Sequence, residues 1–135
     1  MLMIAQYISA AGLLFGVWAG FLALVRPAQI ARSLRLQANP AKPGGYAEFR
    51  STFGGVFLMI HAVALIFVLR LEPTDTIPVI LPISAAWIGA AIARSVSMVV
   101  DKEENGEGGI NRYWVMLEIV VALIIAAPAL SLAVQ

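Results

Sequence analysis

Ala47-Glu48-Phe49-Arg50-Ser51-Thr52-Phe53-Gly54-Gly55, and the run that follows it, Val56-Phe57-Leu58-Met59-Ile60-His61-Ala62-Val63-Ala64-Leu65-Ile66-Phe67-Val68-Leu69, decide how this chain is read. Together the two stretches are 23 residues long, enough for the ~20 a helix needs to cross about 30 Å of hydrocarbon. Yet they open with two opposite charges. A centrally placed Arg or Asp costs about 2.5–3.5 kcal/mol on membrane-insertion scales, so Glu48 and Arg50 each need a partner or a use.

Three further apolar runs flank this one, so that spans are expected at about residues 3–25, 46–69, 78–100 and 113–134. The 135 residues are 61% hydrophobic and 13% charged, with a mean hydropathy of +0.88. A soluble domain carries roughly 25% charged residues, and a chain this short has too little interior to hide so much apolar surface. The expected fold is all-α: a polytopic membrane protein, one domain over residues 1–135, built as an antiparallel four-transmembrane-helix bundle. The first residues, Met1-Leu2-Met3-Ile4-Ala5-Gln6-Tyr7, lack the positive n-region of a cleavable signal and are read as the start of the first span.

The chain has no cysteine and one histidine. Disulfides, thiolate chemistry, iron–sulfur clusters and cysteine zinc sites are therefore excluded, and no cofactor, metal or nucleic-acid partner is expected. The expected partners are membrane lipids, and beyond them a larger membrane complex or homo-oligomer, or a lipophilic small molecule.

Working outward, the first span carries Gly12, Gly16 and Gly20 at four-residue spacing, a small-residue face that lets another helix come close. It suits dimerisation or, more simply, packing within the chain. Arg26-Pro27 stops this span. Residues 28–37 then put Ile30, Ala31 and Leu34 on one face and Arg32 and Arg35 on another, a short amphipathic helix suited to the headgroup plane. A Pro/Gly-rich loop over residues 39–45 follows. The third span confines its prolines to its first turns and is rich in small residues over Ala85–Ala93, Gly89 among them, with Arg94 inside the apolar run. Residues 101–112 form an acidic, glycine-rich loop, read as solvated. Tyr113-Trp114 is read as an aromatic interface anchor, and Pro128 is expected to kink the far end of the fourth span.

Four antiparallel spans turn these charges into a pattern. Arg26, Arg32, Arg35, Lys42, Arg50, Arg94, Lys102 and Arg112 fall on one side, leaving only Arg70 on the other, so eight of the nine cations share a side. The positive-inside rule assigns that side to the cytoplasm and both termini to the periplasm, giving a multi-pass protein of the bacterial inner membrane. Glu48, Arg50, Arg94 and Glu118 then fall at similar depth, with Asp101 just above. Glu48 and Arg50 are two residues apart and point away from each other. An economical arrangement shares Arg50 and Arg94 among Glu48, Asp101 and Glu118 in the bundle interior, either as a structural clip or as a polar pocket for an anionic or carbonyl head. His61, about 16 Å deeper than Arg50, is expected as a neutral imidazole hydrogen-bonded to a neighbouring helix. Trp18 and Trp87 are expected as core filler, with Trp87 and His61 as candidate pocket-lining side chains. Gly54, Gly55 and Gly89 are expected to permit close helix packing.

Ala47-Glu48-x-Arg50-x-x-x-Gly54-Gly55, Gly89-x-x-x-Ala93-Arg94, Asp101 and Glu118 together resemble a family of small four-helix bacterial membrane proteins catalogued as a domain of unknown function (DUF4345), related to the DoxX/DoxD-like group. That family often has Tyr where Phe53 stands, and its loop corresponding to residues 101–112 is shorter and less acidic. The resemblance implies the same fold and an accessory or quinone-linked membrane subunit, by analogy of fold. Two functions follow: an accessory subunit or partner-binding protein of a larger inner-membrane complex, or a small intramembrane enzyme or lipophile (lipid- or quinone-like) binder using Glu48 or Glu118 with Arg50 and Arg94.

Overall fold

The computed structural model describes residues 1–42, 44–101 and 110–134; most of the acidic loop, with Lys102, lies outside the described residues. Among the described residues every regular element is a helix: α1 (Leu2–Val25), α2 (Pro27–Ser33), α3 (Ala47–Phe49), a π-helical segment (Arg50–Val56), α4 (Phe57–Arg70), α5 (Ile77–Val100), α6 (Ile110–Ile125) and α7 (Ala127–Ala133). Leu2–Val25, Ala47–Arg70 and Ile77–Val100 are each long and apolar enough to cross a membrane, and α6 with α7 makes a fourth if the bent pair is one span.

Each boundary has a local cause. Pro27 stands in the first turn of α2, where its missing N–H is not needed. That helix is shorter than its amphipathic pattern, because Arg35 takes a left-handed φ of 60°. Leu36 N–H then bonds Ala31 O at 2.8 Å and Arg35 N–H bonds Arg32 O at 3.0 Å, the Schellman closure that usually employs glycine. A left-handed L-residue costs roughly 1–2 kcal/mol. Arg35→Gly is therefore expected to stabilise the protein by about 1 kcal/mol, read as a higher melting temperature in detergent.

In α5, Pro78 sits in the first turn but Pro82 lies inside the helix, one turn further than the first-turn positions where proline costs least. The last expected span breaks into two helices bent by 64°. Pro128, in the first turn of α7, gives the break its cause: it cannot donate to the preceding turn.

The chain's contacts divide into two compact units, Met1–Gly12 with Phe67–Gln135, and Leu13–Ile66. In the first, α5 and α6 pack along each other. Serine hydroxyls pin the end of α6, with Ser84 Oγ donating to Ala122 O at 2.9 Å and buried Ser9 Oγ to Ile125 O at 2.7 Å. Gln6 Nε2 donates to the Val68 and Leu71 carbonyls at 2.6 and 2.8 Å, closing the end of α4. A Cβ on Gly12 would come within 2.8–2.9 Å of the Ile124 and Ile125 side chains.

In the second unit the glycine face of α1 is filled from within the chain. A Cβ on Gly16 would overlap the His61 ring, and one on Gly20 would lie 2.6 Å from Leu58 N and 2.7 Å from its Cα. The face is spent on intrachain packing, the simpler of its two readings. Near the end of α1, Ala23, Ala31 and Phe49 form a small core with Ile30, Leu34 and Tyr46 against it. The apolar face of α2 is thereby turned toward α1 and Phe49.

Candidate functional site

Of the expected charged residues, Arg94 and Glu118 pair with each other. In the first unit, Arg94 on α5 faces Glu118 on α6. Arg94 Nε donates to Oε1 at 3.1 Å and Oε2 at 3.3 Å, and Nη2 to Oε1 at 2.8 Å. The Glu118 side chain is 6% exposed and that of Arg94 26%. A planar guanidinium matched side-on to a carboxylate is the strong form of ion pair, and it neutralises both charges where the surroundings are apolar. The Arg94 guanidinium carbon also stands 5.8 Å from the Trp114 ring centroid, within reach of the ring's negative face. Tyr113, beside it in sequence, is exposed. The aromatic pair is thus divided between an outward ring and a lid on the arginine.

Asp101 lies at the end of α5, where its Oδ2 accepts from Ser97 Oγ at 2.6 Å. In the second unit, Arg50 Nε donates to the Leu24 carbonyl at 3.2 Å. That carbonyl belongs to the last turn of α1, where the groups lacking an intrahelical donor and the negative end of the helix dipole coincide. Arg50 thus caps a helix. Glu48 is exposed and makes no hydrogen bond or ion pair among the described residues, in keeping with its i,i+2 separation from Arg50.

His61 is 2% exposed. Its Nδ1–H donates to the Phe57 carbonyl one turn earlier at 2.7 Å, and its ring lies 4.2 Å from the Phe57 ring, centroid to centroid. The imidazole is a packing element seated on Gly16. Trp18, expected in the core, is 56% exposed, since apolar bulk here is carried on the outside; Trp87 is half-buried. The π-helical segment covers the stretch that opens the second span. Gly54 presses there on α1, where an added Cβ would fall 3.0 Å from Leu24 N and Cα, and Phe49 and Phe53 stack with ring centroids 4.9 Å apart. Gly55 keeps ordinary clearance and Gly89 stands in open space, with nothing within 4 Å of an added Cβ. Close packing is therefore made at Gly54 alone of these three.

No buried side-chain nitrogen or oxygen among the described residues lacks a hydrogen bond. The α5–α6 pair carries an open groove of about 580 Å³, walled by Ile88, Ile92, Val96 and Val99 of α5 and Val115 and Ile119 of α6. Its polar side chain, Ser95, donates to Ala91 O at 2.7 Å. Neither Arg94 nor Trp87 lines it. Such a surface offers apolar contact, and no charged side chain lines it.

Sequence reasoning missed Trp114 as the arginine's lid, the Leu24 carbonyl as the partner of Arg50, and the roles of Gln6, Ser9 and Ser84. The signal for Trp114 was its four-residue spacing from Glu118, which puts both on one helix face. The chain matches no protein-family model, no curated protein and no solved structure.

Proposed function

We propose that this chain is a non-enzymatic accessory subunit of a larger bacterial inner-membrane complex, folded as an antiparallel four-helix transmembrane bundle. On this reading it receives a partner's transmembrane helix on α5 and α6. The observation that carries it is the groove described above, which adjoins a side of α5 where Ala85, Gly89 and Ala93 are exposed at four-residue spacing. The corresponding face of α1 is filled by the chain's own side chains, whereas Gly89 has nothing against it. Helix association in lipid draws on close backbone approach, which small residues permit. The charge division supports an orientation with both termini in the periplasm, and the resemblance to DUF4345 and DoxX/DoxD-like proteins supports the accessory role.

The test is photo-crosslinking in native membranes with a benzophenone side chain at Ile92, compared with one at Ile60 on α4. Affinity purification in mild detergent accompanies it. The expected result is a discrete protein adduct from position 92, absent at position 60, and coelution with that partner. A chain that crosslinks only to lipid and elutes alone as a monomer would sink the proposal.

A second reading, a lipophile binder, draws on the groove volume, which lies within the roughly 300–1,000 Å³ typical of small-molecule sites. A lipophile in the organic extract of the purified protein, lost on Ile92→Trp, favours it. The enzymatic reading has less support: the Glu118 carboxylate is engaged by Arg94, and Glu48 is exposed.

A further inference from the structure

We infer that the cytoplasmic end of α1 is a binding site for the phosphate of an anionic phospholipid, held by Arg26 and Arg50. The unit containing this end, Leu13–Ile66, has Arg26, Arg32, Arg35, Lys42 and Arg50 against one acidic residue, Glu48. The five cations all fall between positions 26 and 50, where the chain leaves one apolar helix and enters the next.

Two of them are unspent, and one of these, Arg50, is also positioned. Arg50 is fixed at the end of α1 by its Nε bond to Leu24 O and by the seat of Gly54 against Leu24. That bond uses one of the five guanidinium N–H donors; among the described residues neither Nη finds an acceptor. Arg26 follows directly on Val25, and its side chain likewise bonds no described residue. Both arginines are exposed. The negative end of the α1 dipole, which would compete for them, is already met by Arg50 Nε. Glu48 lies two residues from Arg50 and forms no ion pair with it. Arg32 likewise directs its Nε to a carbonyl, Ala28 O at 3.0 Å, but within its own helix α2.

The donor chemistry selects the occupant. Two guanidinium groups with several free N–H donors fit an oxyanion with more than one acceptor oxygen, and phosphate is the group arginine forks match. The apolar side chains at the same level, Phe21, Leu24 and Phe53, are exposed, and Phe53 is braced by its stack on Phe49. An amphiphile satisfies both halves of this surface: a phosphate at the arginines and acyl chains along Phe21 and Phe53. Juxtamembrane basic residues attract anionic lipid by about 1 kcal/mol each. With α2 packed through Ala31, Ile30 and Leu34, Arg26 and Arg32 stay exposed.

The test uses the full chain in nanodiscs of equimolar phosphatidylglycerol and phosphatidylcholine. Lipid retained after extraction into mild detergent is quantified by mass spectrometry. Wild type is expected to retain phosphatidylglycerol in several-fold excess. Arg26→Gln, which breaks no bond within the described protein, is expected to lower that ratio about fivefold, and Arg50→Gln to lower it at least as much while also loosening the end of α1. Arg70→Gln, at the far end of α4, is expected to leave it unchanged. Wild-type retention by Arg26→Gln overturns the site. An equal loss with Arg70→Gln also overturns it, by reducing the effect to overall charge. A melting shift from inorganic phosphate as large as that from phosphatidylglycerol overturns the lipid as occupant. These outcomes are independent of the α5–α6 groove, so the site and the subunit proposal fail separately.

Discussion

Arg94→Leu is expected to be among the most damaging single substitutions in the protein. It leaves the Glu118 carboxylate, 6% exposed, in the α5–α6 seam with its three hydrogen bonds from Arg94 gone. Breaking a buried pair by removing one partner typically costs about 3–5 kcal/mol, because an uncompensated charge stays behind. The converse change, Glu118→Leu, is expected to cost less. Arg94 is 26% exposed, and its long side chain can swing its head outward while the stem stays packed. The double variant Arg94→Leu/Glu118→Leu is expected to recover most of the loss, since a hydrophobic replacement of similar volume is often neutral or better. Denaturant-midpoint measurements on the four proteins in one detergent read all three effects. If Arg94→Leu left stability unchanged but abolished partner or lipophile binding, the pair would be a binding group and not a clip.

Gly16→Ala is expected to separate α1 from α4. The added methyl would overlap the imidazole of His61. That ring is held by its bond to Phe57 O at 2.7 Å and by its contact with Phe57. Overpacking of this kind costs typically about 1–3 kcal/mol, and a nearly fully buried ring leaves little room to relax. His61→Ala in the same background is expected to restore part of the stability, so the two changes couple with a sign opposite to simple addition. Gly20→Ala should show no such rescue, because its clash is with the backbone of Leu58. The comparison, by thermal melting of the single and double variants, checks that the α1 glycines serve the chain's own packing. Rescue by dimerisation at high protein concentration would count against it.

The helices were legible in the sequence because their signal is length and apolarity, which do not depend on neighbours. The expected boundary at residue 25 is met by Val25 and that at residue 100 by Val100. The early end of α2 was not legible, because it rests on Arg35 adopting a backbone conformation that arginine rarely takes. Glu48 and Arg50, two residues apart, form no ion pair with each other among the described residues. Depth grouped Arg94 with Glu118, which do pair. Counting residues from a span's end gives a height, but a contact also needs the helix's rotation. Arg50 found a backbone carbonyl, a group present at every residue and so invisible to a search among charges. The same holds for Gln6, Ser9 and Ser84, whose acceptors are all main-chain oxygens. Trp18 was misjudged because a chain with most of its apolar surface facing outward reverses the usual inference from size to burial. Only 22% of the most apolar stretch of Ile77–Val100 is buried, so bulk alone says little about which face is inner.

The π-helical segment Arg50–Val56 has a bearing on descent. A π turn closes with i→i+5 bonds and so holds one residue more than the α turn it replaces. Here the wide turn lies between two fixed points, Arg50 at the Leu24 carbonyl and His61 on Gly16. A kindred chain lacking about one residue in this interval could keep both anchors with an uninterrupted α-helix. Alignments of such chains would then carry a single gap inside a helix long and apolar enough to cross a membrane, a place where gaps are ordinarily treated as errors.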